Sequence, residues 1–159
     1  MTKNDTKTGT PADSYLKEAV LSLAEEDPWY VPLFSNVSAL IMENMKDLNW
    51  AGFYVVRDGE LVLGPFQGKS ACIHIRYGKG VCGTAWKEDR TVRVENVHDF
   101  PGHIACDSAS NSEIVLPIRK GNEIKAVLDI DSPVFGRFSE ADESMLQRIA
   151  DVLSEVVHF

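Results

Sequence analysis

Three cysteines, three acidic residues and two aromatics hold the chemical interest of this 159-residue chain. Cys72, Cys82 and Cys106 stand 10 and 24 positions apart, which forms neither a CxxC pair nor a zinc-ribbon spacing. His74, His98 and His103 lie near them without adding a standard ligand spacing, so no metal site is expected. What remains is thiol chemistry or plain core packing, because free cysteine is among the most buried residue types. Cys106 lies in an aperiodic run of small and polar residues, HIACDSASN, where a thiol can be exposed and its thiolate held by backbone donors. It is the candidate nucleophile. Cys72, at the start of an expected strand, or Cys82, near the start of an expected short helix, could resolve its oxidised form. Adjacent Asp107 opposes thiolate formation, so the loop must supply compensating donors.

Asp129 and Asp131 are two apart on an expected strand, so both side chains leave one face of the sheet. Neighbouring carboxylates repel, and the repulsion is relieved when one keeps its proton near neutral pH, which makes it a candidate general acid. Glu113 opens the preceding strand and joins them if the hairpin register brings it alongside. The plainer alternative is acidic decoration of a solvent-facing strand. Trp50 and Tyr54, four apart on one strand face, either wall an apolar pocket or fill the core. Trp86 and Phe100 read as core. Lys69, Arg76 and Lys79 cluster in GKSACIHIRYGKG, which carries neither a P-loop nor a dinucleotide fingerprint and reads as a solvated basic edge.

The elements that must position these groups follow from hydrophobic periodicity. Residues 1–12 are polar and read as a mobile leader, leaving 13–159 as one domain. From Ser14, Leu16, Ala19, Val20 and Leu23 mark one helix face until Asp27-Pro28, and Leu33, Phe34, Val37, Leu40, Ile41 and Met45 mark a second. The period then drops to 2: Trp50–Val56 and Glu60–Leu63 flank Asp58-Gly59, a turn suited to a tight hairpin. Ala71–Tyr77 reads as a third strand, Gly80–Glu88 as a short helix and Thr91–Glu95 as a fourth strand. Residues 96–111 show no period and are too long for an ordinary connection, the profile of a functional loop. Ser112–Arg119 and Glu123–Asp131 form a second hairpin around Gly121-Asn122, with Pro117 indicating an edge or a bulge. Ser139 and Asp142 resemble a capping box before a last helix faced by Met145, Leu146, Ile149, Val152, Leu153 and Val156. The sum is an α+β domain, a mainly antiparallel six-stranded sheet with helices packed on one face.

Composition narrows the partners. Sixteen Lys and Arg against twenty-four Asp and Glu leave a net charge of −8, which repels nucleic acid and anionic membranes. No apolar run approaches the roughly 20 residues of a membrane span, and the first dozen residues lack the apolar core of a signal peptide, so a cytoplasmic location without a structural disulfide framework is expected.

Three stretches, GPFQGKSACIHIRYGKGVCGTAW (64–86), FPGHIACDSASNSEIVLPI (100–118) and VLDIDSP (127–133), together resemble the GAF-domain free methionine-(R)-sulfoxide reductases. The resemblance runs from about Tyr30 to Val157 and implies a GAF fold. It further implies reduction of free L-methionine-(R)-sulfoxide to L-methionine, a protection against oxidative damage. By resemblance Cys106 matches the catalytic cysteine, Cys72 the main resolving cysteine and Cys82 an additional redox cysteine. Glu113, Asp129 and Asp131 match the acidic trio at the sulfoxide, and Trp50 with Tyr54 the wall around the substrate methyl group. The family uses no bound cofactor; thioredoxin reduces its disulfide, drawing on NADPH through thioredoxin reductase, and a homodimer is suggested. The rival reading is a GAF domain that senses a small molecule or redox state without catalysis, since a fold does not set a function.

Overall fold

The computed structural model describes residues 11–159. The expected leader lies outside the described residues except for residues 11 and 12, which open helix α1 (Pro11–Glu26), three residues ahead of the expected start. Helix α2 (Tyr30–Asn44) follows, then β1 (Trp50–Arg57) and β2 (Glu60–Gly68). Asp58 and Gly59 between these strands both take positive φ, 51° and 81°, the geometry that lets a two-residue turn match strand twist. Beyond them lie β3 (His74–Arg76), α3 (Gly80–Glu88), β4 (Val92–Val94) and a 3₁₀ turn (Val97–Asp99). The hairpin β5 (Ser112–Lys120) and β6 (Glu123–Ser132) leads to α4 (Glu140–Val156). The start of α4 is a true capping box: Ser139 Oγ accepts from the Asp142 amide, and Asp142 Oδ2 accepts from the Ser139 amide.

The six strands form one antiparallel sheet in the order β3-β2-β1-β6-β5-β4. Pro117 sits past the last β4 partner of β5, so its missing N–H falls where β5 is an edge, and the β5–β6 register shifts just beyond it between Ile118 and Arg119.

The sheet has two covered faces. On one, α1, α2 and α4 bring Leu16, Val20, Phe34, Val37, Ile41, Leu146, Ile149 and Leu153 against Ala51, Phe53, Ile114, Leu116, Leu128 and Ile130. Phe34 stacks on Phe53 with centroids 3.8 Å apart. The other face carries a second cluster, in which Val81, Cys82 and Ala85 of α3 meet Trp50, Tyr54, Leu61, Ile75, Val115 and Val127. Three helices therefore pack on one face as expected, while the short α3 takes the opposite one. Strand β1 is buried on both sides for this reason, and it is between α3 and the sheet that polar groups become enclosed. Among the described residues, no helix is long and apolar enough to cross a membrane.

Candidate active site

Strand register assembles the acids. Glu113 on β5 stands opposite Asp131 on β6, which stands opposite Trp50 on β1. The next row on the same face is Val115, Asp129 and Gly52. Two-residue periodicity thus puts Glu113, Asp129, Asp131, Trp50 and Tyr54 on the α3 face, and all five line one pocket with Cys82 and Cys106. The pocket is narrow in this disulfide-bonded state, with a cavity volume of about 40 Å³. Gly52 is required here, because a Cβ at that position would come within 2.3 Å of Phe66 Cβ.

Cys72 and Cys106 are joined by a disulfide, with Cα atoms 5.5 Å apart across 34 residues of sequence. Cys82 is a buried free thiol on α3. Both aromatics tie down the segment that carries Cys72: Trp50 Nε1 donates to the Lys69 carbonyl at 3.1 Å, and Tyr54 Oη donates to the Cys72 carbonyl at 2.9 Å. They stack on each other with centroids 5.9 Å apart and belong to the core cluster, so they wall the pocket and fill the core at once.

The electrostatics are dominated by enclosure. Glu113 and Asp129 are each only 6% exposed. Burial raises Glu113 well above the ordinary carboxylate range, and the charges of Asp129 and Asp131 push the same way. Burial also raises Asp129, but hydrogen bonds from Glu113 and Cys82 oppose that rise. Glu113 and Asp129 therefore titrate as a coupled pair that favours holding a proton, with the stronger upward push on Glu113. Asp131 is raised well above its usual range by burial, then by Asp129 and Asp107. Burial and the same carboxylates push the Cys82 thiol up, so it stays protonated as a donor to Asp129. Tyr54 is raised as well, first by burial and then by Asp129. Among the described residues two buried side-chain oxygens, Asp129 Oδ1 and Asn49 Oδ1, have no hydrogen-bond partner. Donor atoms of Cys82, Glu113 and Asp129 lie within 4.8 Å of one another, a spacing a metal ion could bridge.

The 96–111 loop is held at both ends and in the middle. Val97 N donates to the Asn111 carbonyl, and Asn111 N donates to that of Ser132. The Asn49 amide reaches both Asp107 Oδ2 and Ser110 Oγ at 3.0 Å. Asp107 Oδ1 accepts from the Ala109 amide, and this bond, with Asn49 and Lys69, keeps the Asp107 carboxyl low despite some burial. The charge that opposed a thiolate at Cys106 is thus engaged by its own donors. Within the loop His103 Nε2 lies 3.9 Å from Glu113 Oε2, and burial with the nearby His98 holds its imidazole below the usual value, in the neutral form at pH 7.

Every site residue expected from sequence meets at this pocket except Cys72, which joins it through the disulfide. Two others escaped that reading. Asn49 had no signal beyond standing next to Trp50, and His103 was considered only as a metal ligand.

A family model described as GAF domain matches residues 33–158. The free methionine-R-sulfoxide reductase of Escherichia coli is 55% identical over 128 residues, covering 80% of this chain and 78% of that protein. That of Saccharomyces cerevisiae is 41% identical, covering 90% and 86%. A solved free methionine-R-sulfoxide reductase from Neisseria meningitidis, in complex with its substrate, superposes with a TM-score of 0.86 at 38% identity, covering 90% of this chain and 86% of that one. The buried acid row, the disulfide at its mouth and these similarities agree, and the chain belongs to the GAF-domain family of free methionine-R-sulfoxide reductases.

Proposed function

We propose that this protein reduces free L-methionine-(R)-sulfoxide to L-methionine at the pocket above the Glu113, Asp129 and Asp131 row. One observation carries the reading: a Cys72–Cys106 disulfide at the edge of a pocket lined by the buried carboxyls of Glu113 and Asp129. Sulfoxide reduction needs both parts, a thiol to attack sulfur and an acid to protonate the departing oxygen.

In the reduced enzyme Cys106 attacks the sulfoxide sulfur while Glu113 delivers its proton to the oxygen, and Asp129 stabilises Glu113 as donor. Methionine leaves, and the oxygen remains on Cys106 as a sulfenic acid. The Cys72 thiol then attacks that sulfur, the oxygen departs as water and the disulfide forms. Both thiol hydrogens and the sulfoxide oxygen are accounted for in the water. The proton lost by the Cys106 thiol restores Glu113, and neutral His103 beside that carboxyl is placed to relay it. Cys82 donates to Asp129 and serves as a reserve thiol. Asp131 and the unpartnered Asp129 Oδ1 suit the ammonium group of a free amino acid, while Trp50 and Tyr54 suit its methylthio end.

Thioredoxin is the reductant in this reading, supplied with electrons from NADPH by thioredoxin reductase, in the cytoplasm where both keep thiols reduced. No cofactor need be bound. The enzyme would work as a homodimer, which sedimentation equilibrium tests. The activity is tested by NADPH oxidation with thioredoxin and its reductase, comparing free methionine-(R)-sulfoxide, the S epimer and a peptide-bound sulfoxide. Turnover with the free R form alone is expected. Failure with all three, and with dithiothreitol as reductant, would leave the fold with a binding role only.

A further inference from the structure

The basic edge noted in the sequence has no part in the pocket chemistry. From Leu61 through Lys87 the chain carries four Lys or Arg and no Asp or Glu, in a protein of net charge −8. Lys69, Arg76 and Lys79 are exposed and form no ion pair among the described residues. They surround β3, the three-residue outer strand of the sheet. The same stretch exposes large apolar side chains: Ile73 is 59% exposed and Tyr77 52%. Ile73 directly follows Cys72, and its carbonyl is held by Leu63 N at 2.8 Å, so the ledge is anchored to the sheet.

Cys106 belongs to the pocket wall, whereas Cys72 is absent from that lining and precedes the outer strand. A protein that reopens the disulfide must bring a thiolate to one of these sulfurs from outside.

We propose that the ledge of Ile73, Tyr77, Arg76 and Lys79 is the docking surface for the reducing protein, and that its thiolate attacks Cys72. The occupant this surface fits is a dithiol protein whose reactive face is apolar and rimmed by carboxylates. This rests on the reductase reading above. The partner's thiolate bonds to Cys72 Sγ, the Cys72–Cys106 bond breaks, and Cys106 leaves as a thiolate inside the pocket. The partner's second thiolate then attacks its own sulfur in the mixed disulfide and releases Cys72. The partner loses two electrons and two protons, and the enzyme gains them as two thiols. Attack on this side returns Cys106 where the substrate binds and never requires the partner to enter the pocket.

The test uses thioredoxin as the probe, with dithiothreitol as the control reductant. Ile73→Ser and Lys79→Glu should each raise KM for thioredoxin about fivefold or more while leaving dithiothreitol-driven turnover unchanged. Raising ionic strength should weaken the thioredoxin reaction of the parent and have little effect on Lys79→Glu. A thioredoxin whose second cysteine is replaced by serine should stop at a mixed disulfide, which peptide mapping should place on Cys72. Mapping to Cys106, or unchanged KM in both variants, would overturn the proposal. Loss of dithiothreitol-driven turnover in the parent would instead count against the reductase reading, and the trapped disulfide would still report which sulfur is attacked.

Discussion

Replacing Glu113 by Gln should make the protein more stable and nearly inactive, and the size of both effects follows from its position. Donor atoms of Glu113 and Asp129 lie within 4.8 Å. Two unit charges at that distance repel by about 3.5 kcal/mol at an effective dielectric of about 20. Glutamine keeps the shape and can still donate to Asp129, but it never ionises. The sign of the pH dependence follows from the raised carboxyl. Burial, then Asp129 and Asp131, hold Glu113 above its unfolded value of 4.5. Between the unfolded and folded values the native chain binds more protons than the unfolded one, so parental stability falls as pH rises through that window. Glu113→Gln lacks this loss. The variant should match the parent near about pH 4 and gain on it with rising pH, by up to about 3.5 kcal/mol, or about 7–14 °C in Tm for a domain of this size. Removing the general acid should meanwhile slow methionine formation about 10²–10⁴-fold in single turnover. Thermal melts of the reduced proteins from pH 4 to 8, paired with quenched single-turnover assays, measure both. A stability difference that does not grow with pH, or an unchanged single-turnover rate, would refute the assignment of the proton to Glu113.

Cys106→Ser should abolish turnover with every reductant, and sulfoxide-dependent methionine formation above background in that variant would remove it as nucleophile. Cys72→Ser should still form one methionine per protein and accumulate a sulfenic acid that dimedone traps; loss of that first methionine would exchange the roles of the two cysteines. The disulfide closes 34 residues, so its reduction should cost up to about 3.8 kcal/mol of loop entropy, and the reduced protein should melt about 8–15 °C lower by calorimetry. Equal melting temperatures would show that the unfolded loop gains no freedom on reduction. Asp131→Asn should raise KM for the free amino acid more than it lowers kcat, and an equal fall in kcat alone would move Asp131 from binding to proton transfer.

Local chemistry was legible wherever one residue decides the backbone. Asp58-Gly59 determined a hairpin through positive φ, and Ser139 with Asp142 determined where α4 begins. Strand lengths were less so. The third strand shrinks to His74–Arg76 because Ala71 and Cys72 leave the ladder, where Tyr54 Oη and the disulfide hold Cys72 instead. Strand β2 runs on to Gly68, past Gly64 and Pro65, because β1 shifts register between Gly52 and Tyr54 and keeps pairing with it. Those residues look like breakers when read locally, and only the partner strand makes them strand. The side taken by α3 was equally hidden, since its short apolar run fits either face of the sheet.

The sequence by itself determined the kinds of group available: three thiols in neither a CxxC nor a zinc-ribbon spacing, two carboxylates on one strand face, and an aperiodic loop around Cys106. Family motifs added their expected roles. Only the tertiary structure decided that Glu113 stands opposite Asp131, that α3 closes over them and brings Cys82 to Asp129, and that His103 reaches Glu113. Those contacts join β5, β6, α3 and the loop, residues up to 47 positions apart in the case of Cys82 and Asp129. The physical reason is that a carboxyl's proton depends on burial and on neighbouring charge. Both are properties of the folded surroundings, and no single segment of the chain contains them.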